Sequence, residues 1–187
     1  MNALASKAQL RRGFWKTATV TVPLIVLLGF GSAMVAPGGA KNAWFTALAK
    51  PAIQPPNIAF PIVWTILYIL MGLALALVIS ARGAKGRSAA LTLFAVQLAV
   101  NLVWSPIFFR FHKLDLALIV IVALAVLVAV TLVAFARVRA LAGLLLLPYL
   151  AWVCFASVLF SQVRDLNPNA EKIALAPANA HIADHTH

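Results

Sequence analysis

The chain has 187 residues, of which 64% are apolar and only 10% charged. Soluble domains run at about 45–50% apolar and about 25% charged, so there are too few charges here to clothe a water-exposed surface, and the soluble enzyme classes are excluded. The formal net charge of +11 comes from 15 Lys and Arg against four acids. These bases sit in small groups between apolar runs, which suits membrane topology and anionic headgroups rather than nucleic acid.

The chain opens on a basic flank, residues 1–16, with Lys7, Arg11, Arg12 and Lys16 ahead of an apolar run over 17–36. The stretch Arg11-Arg12-Gly13-Phe14-Trp15-Lys16 also resembles a twin-arginine export signal, but that route carries soluble cargo and none follows. Pro37 directly after Ala36 makes a poor signal cleavage site. Four more apolar runs follow, at 60–80, 89–109, 114–136 and 141–163. Each is long enough to cross about 30 Å of hydrocarbon as a helix, and none shows the alternation of barrel strands. The expected fold is an all-α, five-transmembrane-helix bundle over 17–166, with no internal repeat of the inverted-transporter kind.

The longest connection, 37–59, is rich in proline: Lys50-Pro51, then Gln54-Pro55-Pro56-Asn57, with Pro61 just beyond. Proline removes donors and restricts its neighbours, so this segment reads as a stiff loop, either a lid or a spacer between distant spans. His112 and Asp115 fall in a short loop and read as solvated. After residue 166 the sequence turns polar, and 167–187 is expected to be disordered, with His181, His185 and His187 read as a solvated tail rather than a metal site. Cys154 is the single cysteine, so neither an intramolecular disulfide nor a CxxC-type metal motif is available.

Nine of the 15 bases fall on the face that carries the N-terminus and six on the other, together with all four acids. The positive-inside rule then favours a multi-pass protein of a bacterial inner membrane with its N-terminus in the cytoplasm. An outer-membrane location is the alternative, because the rule presupposes the inner one.

Polar and aromatic groups recur at helical spacing on three spans. Trp64 and Tyr68 are four apart; Gln97, Asn101, Trp104, Ser105 and Phe108 form one stripe; Tyr149, Trp152 and Ala156 align on the last span. Gln97 and Asn101 carry the most information, because an amide within a span must face protein, water or a ligand. They read either as helix-bridging groups or as the polar edge of an aromatic pocket for a flat ligand. No acid lies within a span, and no HExxH, CxxC or phosphate-cradling loop appears. A pump with charged couplers and a metal site are not expected.

Three stretches together, WFTALAKPAIQPPNIAFPIVWTILYILMG (44–72), QLAVNLVWSPIFF (97–109) and PYLAWVCFASVLF (148–160), resemble the translocator protein family, also called TspO/MBR, tryptophan-rich sensory protein or peripheral benzodiazepine receptor. The resemblance implies a five-helix bundle whose pocket, closed by the first loop, binds porphyrins such as protoporphyrin IX or haem, with no obligatory cofactor. Matched by position, the pocket residues are Trp64, Tyr68, Gln97, Asn101, Trp104, Trp152 and Ala156, with Trp44 and Pro51 shaping the lid. Ile53 and Ile58 stand where the family often has aromatic rings, which reduces ring area in the lid near the mouth; on the fifth span Phe160 stands where Asn is common. No Tyr follows Tyr149, so the family's C-terminal sterol motif is missing and the sequence leaves sterol binding open, with less support than in the family. Ala95-x-x-x-Ala99 is a small-xxx-small pattern, and family members dimerise, so a homodimer through Ala95 and Ala99 is expected. Membrane lipid and a tetrapyrrole are the other partners. The competing readings are light- or oxygen-dependent porphyrin breakdown with Trp64 and Trp152 as redox-active rings, and a structural role in membrane assembly.

Overall fold

The computed structural model describes residues 7–171. Its elements are α1 (Lys7–Val35), a 3-10 turn (Gly39–Lys41), α2 (Ala43–Ala47), α3 (Ala59–Ser80), α4 (Arg87–Ser105), a π-helical turn (Pro106–Arg110), α5 (Leu114–Val138) and α6 (Ala140–Leu166). Among the described residues, five helices are long and apolar enough to cross a membrane, and no strand occurs. The basic flank is not separate from the first span: α1 already begins at Lys7 and runs through residue 16 without a break.

Outward positions confirm which solvent these helices face. Leu27, Ile119 and Val126 are each more than 60% exposed, a pattern that only lipid makes favourable over so many positions. Inside, α3 packs along α1 and α6, and α5 packs along α6 and α4. The ring is completed where α4 meets α1. Proline 106 has no N–H to give to the carbonyl of Leu102, four residues earlier. Ser32 of α1 fills that vacancy by donating its hydroxyl to Leu102 O at 2.6 Å. Pro106, directly after α4, therefore frees the acceptor that ties α4 to α1.

Close approach elsewhere depends on two glycines. A Cβ on Gly72 would come within 2.6 Å of the Val22 Cα, so α1 and α3 touch backbone to backbone there, and Thr21 Oγ1 donates to Gly72 O at 2.8 Å. Gly29 gives room to the Tyr68 ring, which a Cβ would overlap at 2.1 Å. The Tyr68 ring thus rests against α1 at Gly29, with its hydroxyl reaching Asn101 inside the bundle.

The 37–59 loop is ordered and fastened. Asn42 caps α2 by accepting from Phe45 N at 2.9 Å, and donates from Nδ2 to Pro37 O and Phe109 O. Lys50 Nζ donates to the carbonyls of Phe45, Thr46 and Leu48, closing the other end of α2. The first residues of the expected disordered tail are packed, which corrects that expectation over Asn167–Glu171. Asn167 pairs with the Ala49 backbone in both directions, each at 2.8 Å, and Ala170 O accepts from Trp44 Nε1 at 3.0 Å. His181, His185 and His187 lie outside the described residues.

A candidate ligand cavity inside the bundle

A cavity of about 610 Å³ lies between the loop and the centre of the bundle, within the usual range for small-molecule sites. Trp64 and Tyr68 of α3, Asn101 and Trp104 of α4, and Trp152 and Ala156 of α6 all line it. The helical spacing that puts each pair on one face is what delivers them to a common space.

Behind this wall runs a directed hydrogen-bond chain. Tyr68 donates its hydroxyl to Asn101 Oδ1 at 3.2 Å, Asn101 Nδ2 donates to Tyr149 Oη at 3.0 Å, and Tyr149 donates to Gln97 Oε1 at 3.0 Å. The chain joins α3, α4 and α6, so the two amides do bridge helices. Asn101 does this from the cavity wall, whereas Gln97, 1% exposed, is behind it and does not line the cavity. Gln97 is therefore a supporting residue of the site. The Tyr68 oxygen keeps lone pairs and Asn101 keeps one amide hydrogen, both on residues that face the cavity.

The aromatic walls are braced by other rings. Trp64 lies 5.3 Å from Tyr68 and 6.2 Å from Tyr149. Trp152 meets Phe60 edge-on at 5.8 Å. Trp104 stacks on Phe108 at 5.3 Å and touches Phe160 at 4.5 Å, and its indole N–H is taken by Ala117 O at 2.9 Å. Trp104 therefore offers a ligand only its ring. Such contacts hold flat surfaces at fixed angles, each pair contributing about 0.5–1.5 kcal/mol beyond burial.

Trp44 and Pro51 are buried in the loop but do not line the cavity; Phe45 does. Trp44 instead anchors the loop from beneath, edge-on to Phe108 at 5.5 Å and 4.4 Å from the His112 ring. His112 is therefore half-buried rather than solvated, with a left-handed backbone (φ 56°). Burial lowers its pKa from the ordinary 6.5, and a hydrogen bond to the Phe109 backbone partly opposes the shift. Asp115 remains exposed and pairs with Arg164.

Several lining positions carry no sequence signal of their own. Gly29 and Ser32 come from α1, Ala36 from just beyond its end, and Ile121 and Leu124 from α5, spans whose patterns look largely apolar. At the loop side, Lys41, Gln54 and Asn57 reach the cavity, and Gln54 Nε2 is buried without a hydrogen-bond partner. Ile58 lines the wall, while Ile53 does not. Among the described residues no cluster of His, Cys, Asp or Glu could hold a metal ion.

These features define a polytopic helical membrane protein with an aromatic-walled cavity beneath a fastened loop. The TspO/MBR family pattern matches residues 19–164. The chain is 42% identical to the tryptophan-rich protein TspO of Chlorobaculum tepidum, over 81% of this chain and 96% of that protein. It is 42% identical to protein CrtK of Rhodobacter capsulatus, over 79% and 90%, and 38% identical to the human translocator protein, over 62% and 70%. The chain belongs to the TspO/MBR family, as an integral membrane protein.

Proposed function

We propose that this protein binds a tetrapyrrole of porphyrin or haem type in the cavity, for transport, sensing or stress-related regulation. The observation that carries the reading is the combination of flat aromatic walls with polar groups at two places only. Trp64, Trp104 and Trp152 supply ring surface for a planar macrocycle. Tyr68 and Asn101 supply one polar edge. At the loop side, Lys41, Asn57 and the unpartnered Gln54 Nε2 are donors suited to carboxylate side arms. Binding satisfies a buried donor that the protein leaves open.

The test is a titration of detergent-purified protein with protoporphyrin IX, followed by tryptophan fluorescence with inner-filter correction. Saturable quenching is expected, with affinity reduced about tenfold in Asn101→Leu, the equivalent of losing one buried hydrogen bond, and reduced again in Trp152→Leu. Thermal midpoints of both variants separate lost binding from lost folding. Unchanged affinity in two folded variants would sink the assignment. Illumination of the same samples addresses turnover, because porphyrin breakdown produces a new bilin-like absorption band.

We also infer that the base-rich end faces the cytoplasm of a bacterial inner membrane, and that two copies pair through Ala95 and Ala99. Both alanines lie on the outward face of α4, where their size permits close helix approach. Cross-linking of an Ala99→Cys variant in membranes, in a Cys154→Ala background, is expected to trap a dimer. An impermeant amine reagent applied from outside is expected to modify Lys41 and spare Lys85. Reversed labelling or an exclusively monomeric product refutes the respective inference.

A further inference from the structure

The opposite end of the bundle carries a second depression, an open groove of about 790 Å³ between α4 and α5. Its floor is apolar and built largely from small side chains, among them Ala89, Ala129 and Ala134. Deeper in, Phe94 and Phe135 stack at 5.5 Å and close the space between the helices. Neither ring lines the groove, which is a surface feature between α4 and α5.

Lys85 and Arg137 line the same groove. Lys85 precedes the first turn of α4 and Arg137 sits in the last turn of α5, so both mark the membrane-surface end of the groove. Neighbouring Arg87 is already committed, donating to the carbonyls of Val78 and Ile79. Lys85 and Arg137 have no such commitment among the described residues, and both are exposed. No acid is at hand to neutralise them: Asp115, Asp165 and Glu171 belong to the loop end and pair there with Arg164 and Lys113.

We propose that this groove holds one anionic phospholipid, with an acyl chain along the alanine and valine floor and the headgroup phosphate against Lys85 and Arg137. The floor lies on helices that cross the hydrocarbon, so its natural cover is an acyl chain. Two uncompensated cations at the headgroup level favour a lipid of net negative charge over a zwitterion, whose own ammonium opposes them. Two basic contacts of this kind favour the anionic lipid by at least about tenfold.

Native mass spectrometry of the detergent-purified chain tests this, with phosphatidylglycerol and phosphatidylcholine of matched chains as probes. One tightly retained phosphatidylglycerol per protomer is expected. Its affinity falls about tenfold in Lys85→Gln/Arg137→Gln, and falls also in Ala129→Leu, which fills the floor at constant charge. Arg82→Gln/Arg139→Gln removes two bases from the same end but outside the groove, and leaves binding unchanged. Equal loss in this control pair means a diffuse field and overturns the site. Equal retention of phosphatidylcholine overturns the headgroup selection, and full competition by glycerol phosphate alone overturns the role of the floor. If Ala129→Leu abolishes dimers without changing lipid retention, a second copy is the occupant and the proposal fails.

Discussion

Tyr149 is fully buried, and its hydroxyl both accepts from Asn101 and donates to Gln97. Tyr149→Phe strips partners from two buried amides at once, so it is expected to destabilise the protein by about 1–3 kcal/mol. Gln97→Leu is expected to cost less, about 0–1 kcal/mol. Gln97 Nε2 already lacks a partner, so the substitution removes one unsatisfied donor while creating another at Tyr149, and interhelical bonds in membranes average about 0.6 kcal/mol. Comparison of thermal midpoints in detergent decides the order; a larger loss for Gln97→Leu refutes the chain as described. At this scale the sequence made the amides legible, because any amide in a span must be satisfied. Whether each met ligand or protein was not legible, since Gln97 and Asn101 share one helical stripe and differ only in depth behind the α3 and α6 tyrosines.

The loop and its fastening set the second scale. Four prolines (Pro37, Pro51, Pro55 and Pro56) and Asn42 make the 37–59 segment stiff, and that much is written in its composition. Its docking is not, because the fastening residues come from far along the chain. Asn167 reaches Ala49 across 118 positions and Trp44 reaches Ala170 across 126. Asn167→Ala removes both bonds to Ala49 and one to Val163. Ala49 is exposed, so water replaces its lost partner and the global cost stays near 1 kcal/mol or below. The expected signature is local: faster amide hydrogen exchange over 43–50, with exchange in the spans unchanged. Uniform acceleration across the whole chain, or none in the loop, contradicts the fastening. The π-helical turn belongs here too. Pro106 is visible in the sequence, but the use of the vacated Leu102 carbonyl by Ser32 depends on α1 lying alongside.

Across the whole molecule, polarity is distributed by end. The loop end holds the described acids, the ion pairs Arg164–Asp115 and Lys113–Glu171, and the docked C-terminal residues. These exposed pairs contribute at most about 1 kcal/mol each, so the packing of Trp44 against Phe108 and His112 dominates the seam. His112 has its pKa lowered in the folded protein, so the unfolded chain takes up a proton first as pH falls. Stability from the neutral ring is present above pH 6.5 and is lost on acidification through the lowered folded value. The thermal midpoint of the native protein is expected to drop relative to His112→Asn between pH 7 and pH 5, Asn being tolerant of the positive φ. A pH-independent difference between the two rules out this linkage.

Five spans, their helical nature and the end-to-end charge asymmetry were determined by the sequence alone, because lipid leaves a hydrophobic run of about 20 residues almost no other choice. Ring and amide positions on α3, α4 and α6 were equally legible, since a period of 3.6 places them on faces without reference to any neighbour. Tertiary structure alone decided which faces meet. The plain apolar α1 and α5 become cavity wall, Phe45 rather than Trp44 reaches the cavity, and residues Asn167–Glu171 become part of the loop's anchorage. Periodicity is a property of one segment, whereas depth, docking and enclosure are properties of several segments at once.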